Sequence, residues 1–284
     1  MINTRAWKAN KGLFASLKYV SLFSLLVSLV ALFSIIIFIF VKGAGNISWQ
    51  FLFGSYGTEA SIWPATVGTL YLILIALVLG VPLGVATSIY LVEYANGSGI
   101  VTKIIRVSIE TLASIPSIVY GLFGYLVFVV SLNWGYTLMG GGITLAIMIL
   151  PLVVKNVEEA LKEVPNSLRE ASLALGASKI RTIFKVVLPN ALPGILTSII
   201  LSIGRVVSES AVLLLTVGMV VNIVPTSPMS AGTSLALDIY YFAQFGYIGE
   251  AGAASLALLV LVLLLNIIAY VLTFIFQRRR KHGK

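Results

Sequence analysis

Lys155-Asn-Val-Glu-Glu-Ala-Leu-Lys-Glu-Val-Pro165-Asn-Ser-Leu-Arg-Glu170-Ala-Ser-Leu-Ala-Leu-Gly176-Ala-Ser-Lys-Ile-Arg-Thr-Ile-Phe-Lys-Val-Val-Leu-Pro189 is a long charged segment between two apolar runs, about Leu138 to Val154 and about Ala191 to Val217. Local rules predict two short helices here. Ser167 and Glu170 have the S-x-x-E spacing of a capping box, in which each side chain accepts an orphan backbone N–H. Gly176 suits the left-handed position that ends such a helix. Ser178 then caps a second helix that stops before Pro189. The predicted product is a compact, partly apolar knob. Taken alone, Glu170 and Gly176 read equally as caps and as docking residues, since the roles are compatible.

The flanking runs decide what carries the knob. The chain has 284 residues, 59% of them hydrophobic and only 10% charged, with a mean hydropathy of +1.04. A soluble domain carries about 25% charged residues. A chain this poor in charge cannot cover its surface with polar groups, so that surface faces a lipid bilayer. Long apolar windows predict six spans: Tyr19 to Val41, about Ala65 to Val92, about Ile104 to Leu132 with Pro116 inside it, about Leu138 to Val154, about Ala191 to Val217, and about Ala251 to Phe276. Several exceed the roughly 18 residues needed to cross a bilayer. The fold class is therefore all-α and membrane-embedded, with residues 19–276 forming the transmembrane domain.

The basic residues set the orientation. With both termini in the cytoplasm, the inside segments are Met1 to Lys18, Glu93 to Arg106, Lys155 to Pro189 and the tail from Gln277. They hold 17 of the 19 Lys and Arg residues; Lys42 falls outside and Arg205 within a span. The positive-inside rule thus explains the net charge of +9 without nucleic acid. Residues 1–18 read either as an interfacial amphipathic helix, with Trp7, Leu13, Phe14 and Leu17 among Lys8, Lys11 and Lys18, or as a basic tail. The first span is too long for a signal peptide and lacks a clear cleavage site, so it reads as a retained anchor. Residues 277–284 form a second basic tail.

Within the spans, Arg205 and Glu209 stand one helical turn apart. An Arg near the bilayer centre costs roughly 2.5–3.5 kcal/mol on translocon scales, so both are expected to face the protein interior and partly neutralise each other. They read as a helix-locking pair, or as an anion contact in which Glu209 limits how tightly Arg205 holds its ligand. Pro116 either kinks the third span or breaks it. A half-helix starting near Ser117 would aim free N–H groups at an anion. Glu110, six residues earlier, belongs to the pathway or to the solvated rim. Asp238 reads as a solvated loop charge or a docking point for a binding protein. Trp49, Trp63 and Trp134 fit interfacial anchoring.

The spacing of Glu170-Ala171-Ser172, Gly176 and Leu188-Pro189 resembles the EAA loop of ABC importer permeases. Gly80 to Tyr94, Thr111-Leu-Ala-Ser-Ile-Pro-Ser-Ile-Val-Tyr-Gly-Leu-Phe-Gly124, and Gly204-Arg-Val-Val-Ser-Glu-Ser-Ala-Val-Leu-Leu-Leu-Thr216 narrow the likeness. Together they look like the permeases of the phosphate-specific (Pst) ABC transporter. The run from Glu209, with Leu235-Ala-Leu-Asp-Ile-Tyr240, resembles the PstA type, although Ser208-Glu209-Ser210-Ala211-Val212 departs from the family's usual Gly-Glu-Thr-Ala-Pro.

The resemblance implies a type I ABC importer permease whose EAA loop, residues 155–190, is a coupling helix. By that likeness Glu170, Ala171 and Gly176 contact a separate ATPase. It also implies a related permease (PstC type), ATP-binding subunits (PstB type) and an extracytoplasmic phosphate-binding protein (PstS type), in the cytoplasmic (inner) membrane of a prokaryote. An importer permease for another oxyanion, molybdate or sulfate, is the alternative.

Other classes find little support. No G-x-x-x-x-G-K-[ST] occurs, so ATP is hydrolysed by a partner and this chain is expected to bind no cofactor itself. With no cysteine and His282 as the only histidine, no thiolate or His-based metal site is expected. An intramembrane enzyme would need a nucleophile with its base or metal ligands, and no H-E-x-x-H or G-x-S-G occurs. A passive channel would have no use for the knob.

Overall fold

The structure is a computed structural model that describes residues 4–54, 57, 60–95 and 99–281; within these, side chains are described from Ser16 to Val271 and at Phe274. Among the described residues, all regular structure is helical. Apolar runs such as Ser21 to Val41 contain neither Pro nor Gly, and in hydrocarbon a helix pairs every backbone group internally. Helix α1 spans Thr4–Gly43 and α2 Trp49–Phe53; α3 (Trp63–Ile89) is prolonged by a π-helical turn at Tyr90–Tyr94. Next come α4 (Ile100–Ser114), α5 (Ser117–Gly124) with its π-helical extension Tyr125–Ser131, and α6 (Leu138–Lys162). Then follow α7 (Asn166–Ala174), α8 (Lys179–Thr182), a π-turn at Ile183–Val187, α9 (Leu188–Val207), α10 (Ala211–Thr216), α11 (Leu235–Gln244) and α12 (Ile248–Lys281). The basic N-terminal segment is thus helical from Thr4 onward, while His282 lies outside the described residues.

Among the described residues, five segments are long and apolar enough to cross a membrane: Ser16–Asn46, Trp63–Tyr94, Leu138–Lys162, Lys179–Val207 and Ile248–Val271. A sixth arises if α4 and α5 count as one span, but they meet at 103°. The expected third span is therefore a broken one. The expected fifth span also shifts, beginning at Lys179 and ending at Val207 rather than running from Ala191 to Val217. Pro189 was expected to stop the preceding helix. Instead the backbone winds through a π-turn in which the Leu188 N–H reaches Ile183 O, and Pro189 enters α9 at its first turn, where its missing N–H is no loss.

Helix α6 forms the centre, packed between α3 and α9. Leu145, Ile149, Val153, Val157 and Leu161, spaced four apart, are fully buried in that core, making the ridge that neighbouring helices receive. The Ser88 hydroxyl of α3 donates to Val154 O of α6 at 2.9 Å, and polar links of this kind supplement van der Waals packing where lipid gives no hydrophobic drive. Helix α1 stands apart: none of its most apolar window is buried. It packs on α12, crossing where Gly43 meets Gly252.

Candidate functional site

The knob expected from the sequence is present, and the break allowed for at Pro116 is joined by a second break, at Ser208 to Ser210, within what was expected to be one span. In the knob, the predicted capping box does not form. Pro165 precedes α7 with extended backbone and gives no side-chain cap, so Asn166 is already helical and Ser167 lies inside the first turn. The other end matches expectation. Gly176 has φ +81°, its N–H bonds Leu173 O at 2.9 Å, and the Ala177 N–H bonds Ser172 O at 3.2 Å. This paired closure is the Schellman arrangement. Ser178 caps α8, accepting the Arg181 N–H at 3.3 Å. The Ser172 and Thr182 hydroxyls lie 2.9 Å apart, tying α7 to α8. Glu170, Ala171 and Gly176 are exposed at the tip, beside the exposed apolar side chains of Leu173 and Leu175.

The first helix break is at Pro116. In a continuous helix residue 116 would donate to Leu112 O, and Pro has no N–H to give. Leu112 O is taken instead by the Tyr120 hydroxyl at 2.6 Å and the Ile115 N–H at 3.2 Å, which holds the corner. The second break spans Ser208 to Ser210, between α9 and α10. The two breaks are neighbours. A Cβ on Gly121 of α5 would lie 3.0 Å from Val212 Cα and 3.1 Å from Ala211 O, so α5 and α10 meet backbone to backbone.

Arg205 and Glu209 do pair, with Nη2 and Oε2 3.6 Å apart, but their environments differ: the side chains are 50% and 6% exposed. Within this chain Glu209 is buried and Arg205 is half exposed. Helix α9 ends at Val207, so Glu209 sits in the break under α10, where its Oε1 accepts the Val212 N–H at 3.4 Å. Arg205, in the last turn of α9, extends into open space. Glu110 is exposed on α4, and among the described residues no ion pair joins it to Arg205.

Residues 80–282 match the family described as binding-protein-dependent transport system inner membrane component. The chain belongs to this family. It is the permease subunit of an ABC importer. Among curated relatives, the probable ABC transporter permease protein YqgI of Bacillus subtilis is 37% identical over 260 residues, 85% of this chain and 87% of that one. The phosphate transport system permease protein PstA 1 of Mycobacterium tuberculosis is 36% identical over 225 residues, 78% of this chain and 72% of its own. The PstA protein of Pasteurella multocida is 35% identical over 222 residues, 76% and 77% of the respective chains.

Solved structures agree on the fold. A bacterial alginate ABC transporter in complex with a pentasaccharide-bound periplasmic protein has a TM-score of 0.68 at 17% identity, over 95% of this chain and 96% of that one. The inward-facing MetNI methionine ABC transporter has a TM-score of 0.57 at 23% identity, over 76% of this chain and 94% of that one. Among the described residues the permease has no group of His, Asp or Glu arranged to hold a metal.

Asp238 of the permease, expected in solvent, is wholly buried on α11. Its Oδ1 accepts the Thr233 hydroxyl at 2.8 Å, and the adjoining Leu235 N–H bonds Thr69 Oγ1 of α3 at 3.0 Å, docking this segment onto the bundle. Burial pushes the Asp238 carboxyl up to about 8, against the opposing hydrogen bond from Thr233. The folded permease therefore holds a proton there that the unfolded chain releases above about 4. Stability should fall as pH rises between these values. In detergent, wild-type midpoints of thermal inactivation should drop from pH 6 to pH 8, and Asp238→Asn should remove most of that drop. The small polar residues before α11 gave no signal for this burial; Leu235 and Thr69 meet only in three dimensions.

Proposed function

We propose that this chain is the PstA-type permease of an ATP-driven phosphate importer, pairing with a PstC-type permease, PstB-type ATPases and a PstS-type binding protein. The observation that carries this is the half-exposed Arg205 beside two broken helices inside a membrane-spanning bundle. Facing lipid, its charge would cost roughly 2.5–3.5 kcal/mol; facing a water-filled path shared with a second permease, it is solvated and available. Irregular backbone at membrane depth is likewise tolerated where it lines a cavity. Guanidinium donors are always charged and planar, which suits the oxygens of a phosphate dianion. Glu209, 3.6 Å away, offsets part of that attraction so that the anion is released. Pro116 lets α5 begin near this place with free N–H groups at its first turn. Glu110 belongs to the entrance on α4 rather than to the anion contact.

The knob is the ATPase dock. The positive-inside pattern supports placing it, with both termini, on the cytoplasmic side, where Glu170, Ala171 and Gly176 meet the ATP-binding subunits. Closure of the ATPases on ATP would draw paired knobs together and switch the path between outward and inward access. The test is uptake of labelled phosphate, sulfate and molybdate by cells lacking this chain, with and without its gene restored. Recovery of phosphate uptake alone is expected. Recovery of molybdate or sulfate uptake without phosphate would move the assignment to that oxyanion.

A further inference from the structure

Arg169 lies next to Glu170 in sequence, but its side chain turns away from the exposed tip and is only 15% exposed. Its Nε and Nη2 both lie 3.0 Å from Glu93 Oε1. Nη2 also donates to Leu161 O at 2.8 Å, and Nη1 to Val164 O at 2.6 Å and to Asn166 Oδ1 at 3.3 Å. One guanidinium thus joins three elements: the π-turn that ends α3, the C-terminal end of α6 with the turn that follows it, and the start of α7. A cation at the C-terminal end of α6 meets the negative end of its dipole and occupies carbonyls that lack helical partners. The other arm of the knob reaches the same π-turn, with Lys179 Nζ of α8 4.8 Å from the centre of the Tyr94 ring. Both arms are therefore fastened to adjacent residues at one end of α3, in a π-turn, a feature that recurs at functional sites in helices.

We propose that Arg169, clasping Glu93 with the Lys179–Tyr94 contact beside it, is the positioning residue that carries movement of the knob into α3 and so into the bundle. The proposal rests on reading the knob as the ATPase dock. Glu93 is turned inward, with its side chain 9% exposed, so its role is transmission and not contact with the ATPase. Rigid coupling of this kind needs short, charge-assisted hydrogen bonds with fixed geometry, which the planar fork of Arg supplies and Lys does not.

The test uses the assembled importer, with its partner permease, ATPases and binding protein, in proteoliposomes. ATP hydrolysed per phosphate imported is measured together with the ATPase that co-purifies. Glu93→Gln should leave the co-purified ATPase unchanged and raise the ATP-to-phosphate ratio about two- to thirtyfold, the span of mutational effects on coupling between sites. Arg169→Lys should raise it as well, because an ammonium group cannot hold Glu93 and the Leu161 and Val164 carbonyls in one fixed geometry. If Glu93→Gln fails to assemble, Tyr94→Leu at the exposed ring is read by the same ratio. An unchanged ratio, or uptake and bound ATPase falling in proportion, would overturn the proposal. A wild-type chain that co-purifies no ATPase would instead remove the docking reading beneath it.

Discussion

Arg205→Gln should lower phosphate uptake by about ten- to a hundredfold while leaving the amount of bound ATPase unchanged, because hydrogen bonds to a charged group are worth about 1.5–3 kcal/mol. The half-exposed guanidinium at the end of α9 carries no packing load, whereas Glu209 is buried and caps α10. Removing the Arg charge therefore takes away an anion contact without opening a cavity. Arg205→Lys should recover only part of the uptake, since an ammonium group lacks the planar fork. Wild-type rates for the Lys variant would argue against a bidentate contact. Full uptake by the Gln variant would mean that the pair only locks α9 to α10. Glu209→Gln should act differently, strengthening the hold on the anion and lowering turnover, with some loss of stability from the weakened cap.

Gly176→Val should reduce the ATPase recovered with the permease by about five- to a hundredfold, from a backbone strain of roughly 1–3 kcal/mol. At φ +81° a β-branched residue is strongly disfavoured, and relief of that strain would open the turn that joins α7 to α8. Nothing lies within 4 Å of a Cβ built there, so the effect comes from conformation and not from crowding within the chain. Gly176→Asn, which tolerates the left-handed region, is the control and should retain most of the binding. Equal failure of Asn and Val would show that the ATPase itself needs the bare backbone at this position. Pull-down of the ATPase from detergent extracts separates the two outcomes.

How much of this was legible in the sequence follows from the range of the forces involved. Membrane insertion depends on composition over windows of about 20 residues, so most spans could be read directly. Backbone rules that act within a few residues were equally readable where nothing else competed, as at Gly176 and Ser178. They failed where a neighbour intervened. Ser167 and Glu170 carry a capping signal, but Pro165 begins the helix early enough to place Ser167 inside it. Pro189 carries a stop signal, yet a π-turn lets the helix run on into α9.

Residue type and spacing along the chain specify a helical membrane protein with a short turn-rich knob and a few charges that need a partner or water. Each of those features is local, set by side-chain type and spacing along the chain. Only packing in three dimensions places the breaks at Pro116 and Ser208 to Ser210 side by side, docks the Leu235 N–H on Thr69 of α3, and brings Arg169 onto Glu93. These are contacts between residues far apart in the chain, and they depend on how α3, α6 and α9 pack. No pattern of residue types along one strand of sequence encodes a hydrogen bond whose partner arrives from another helix.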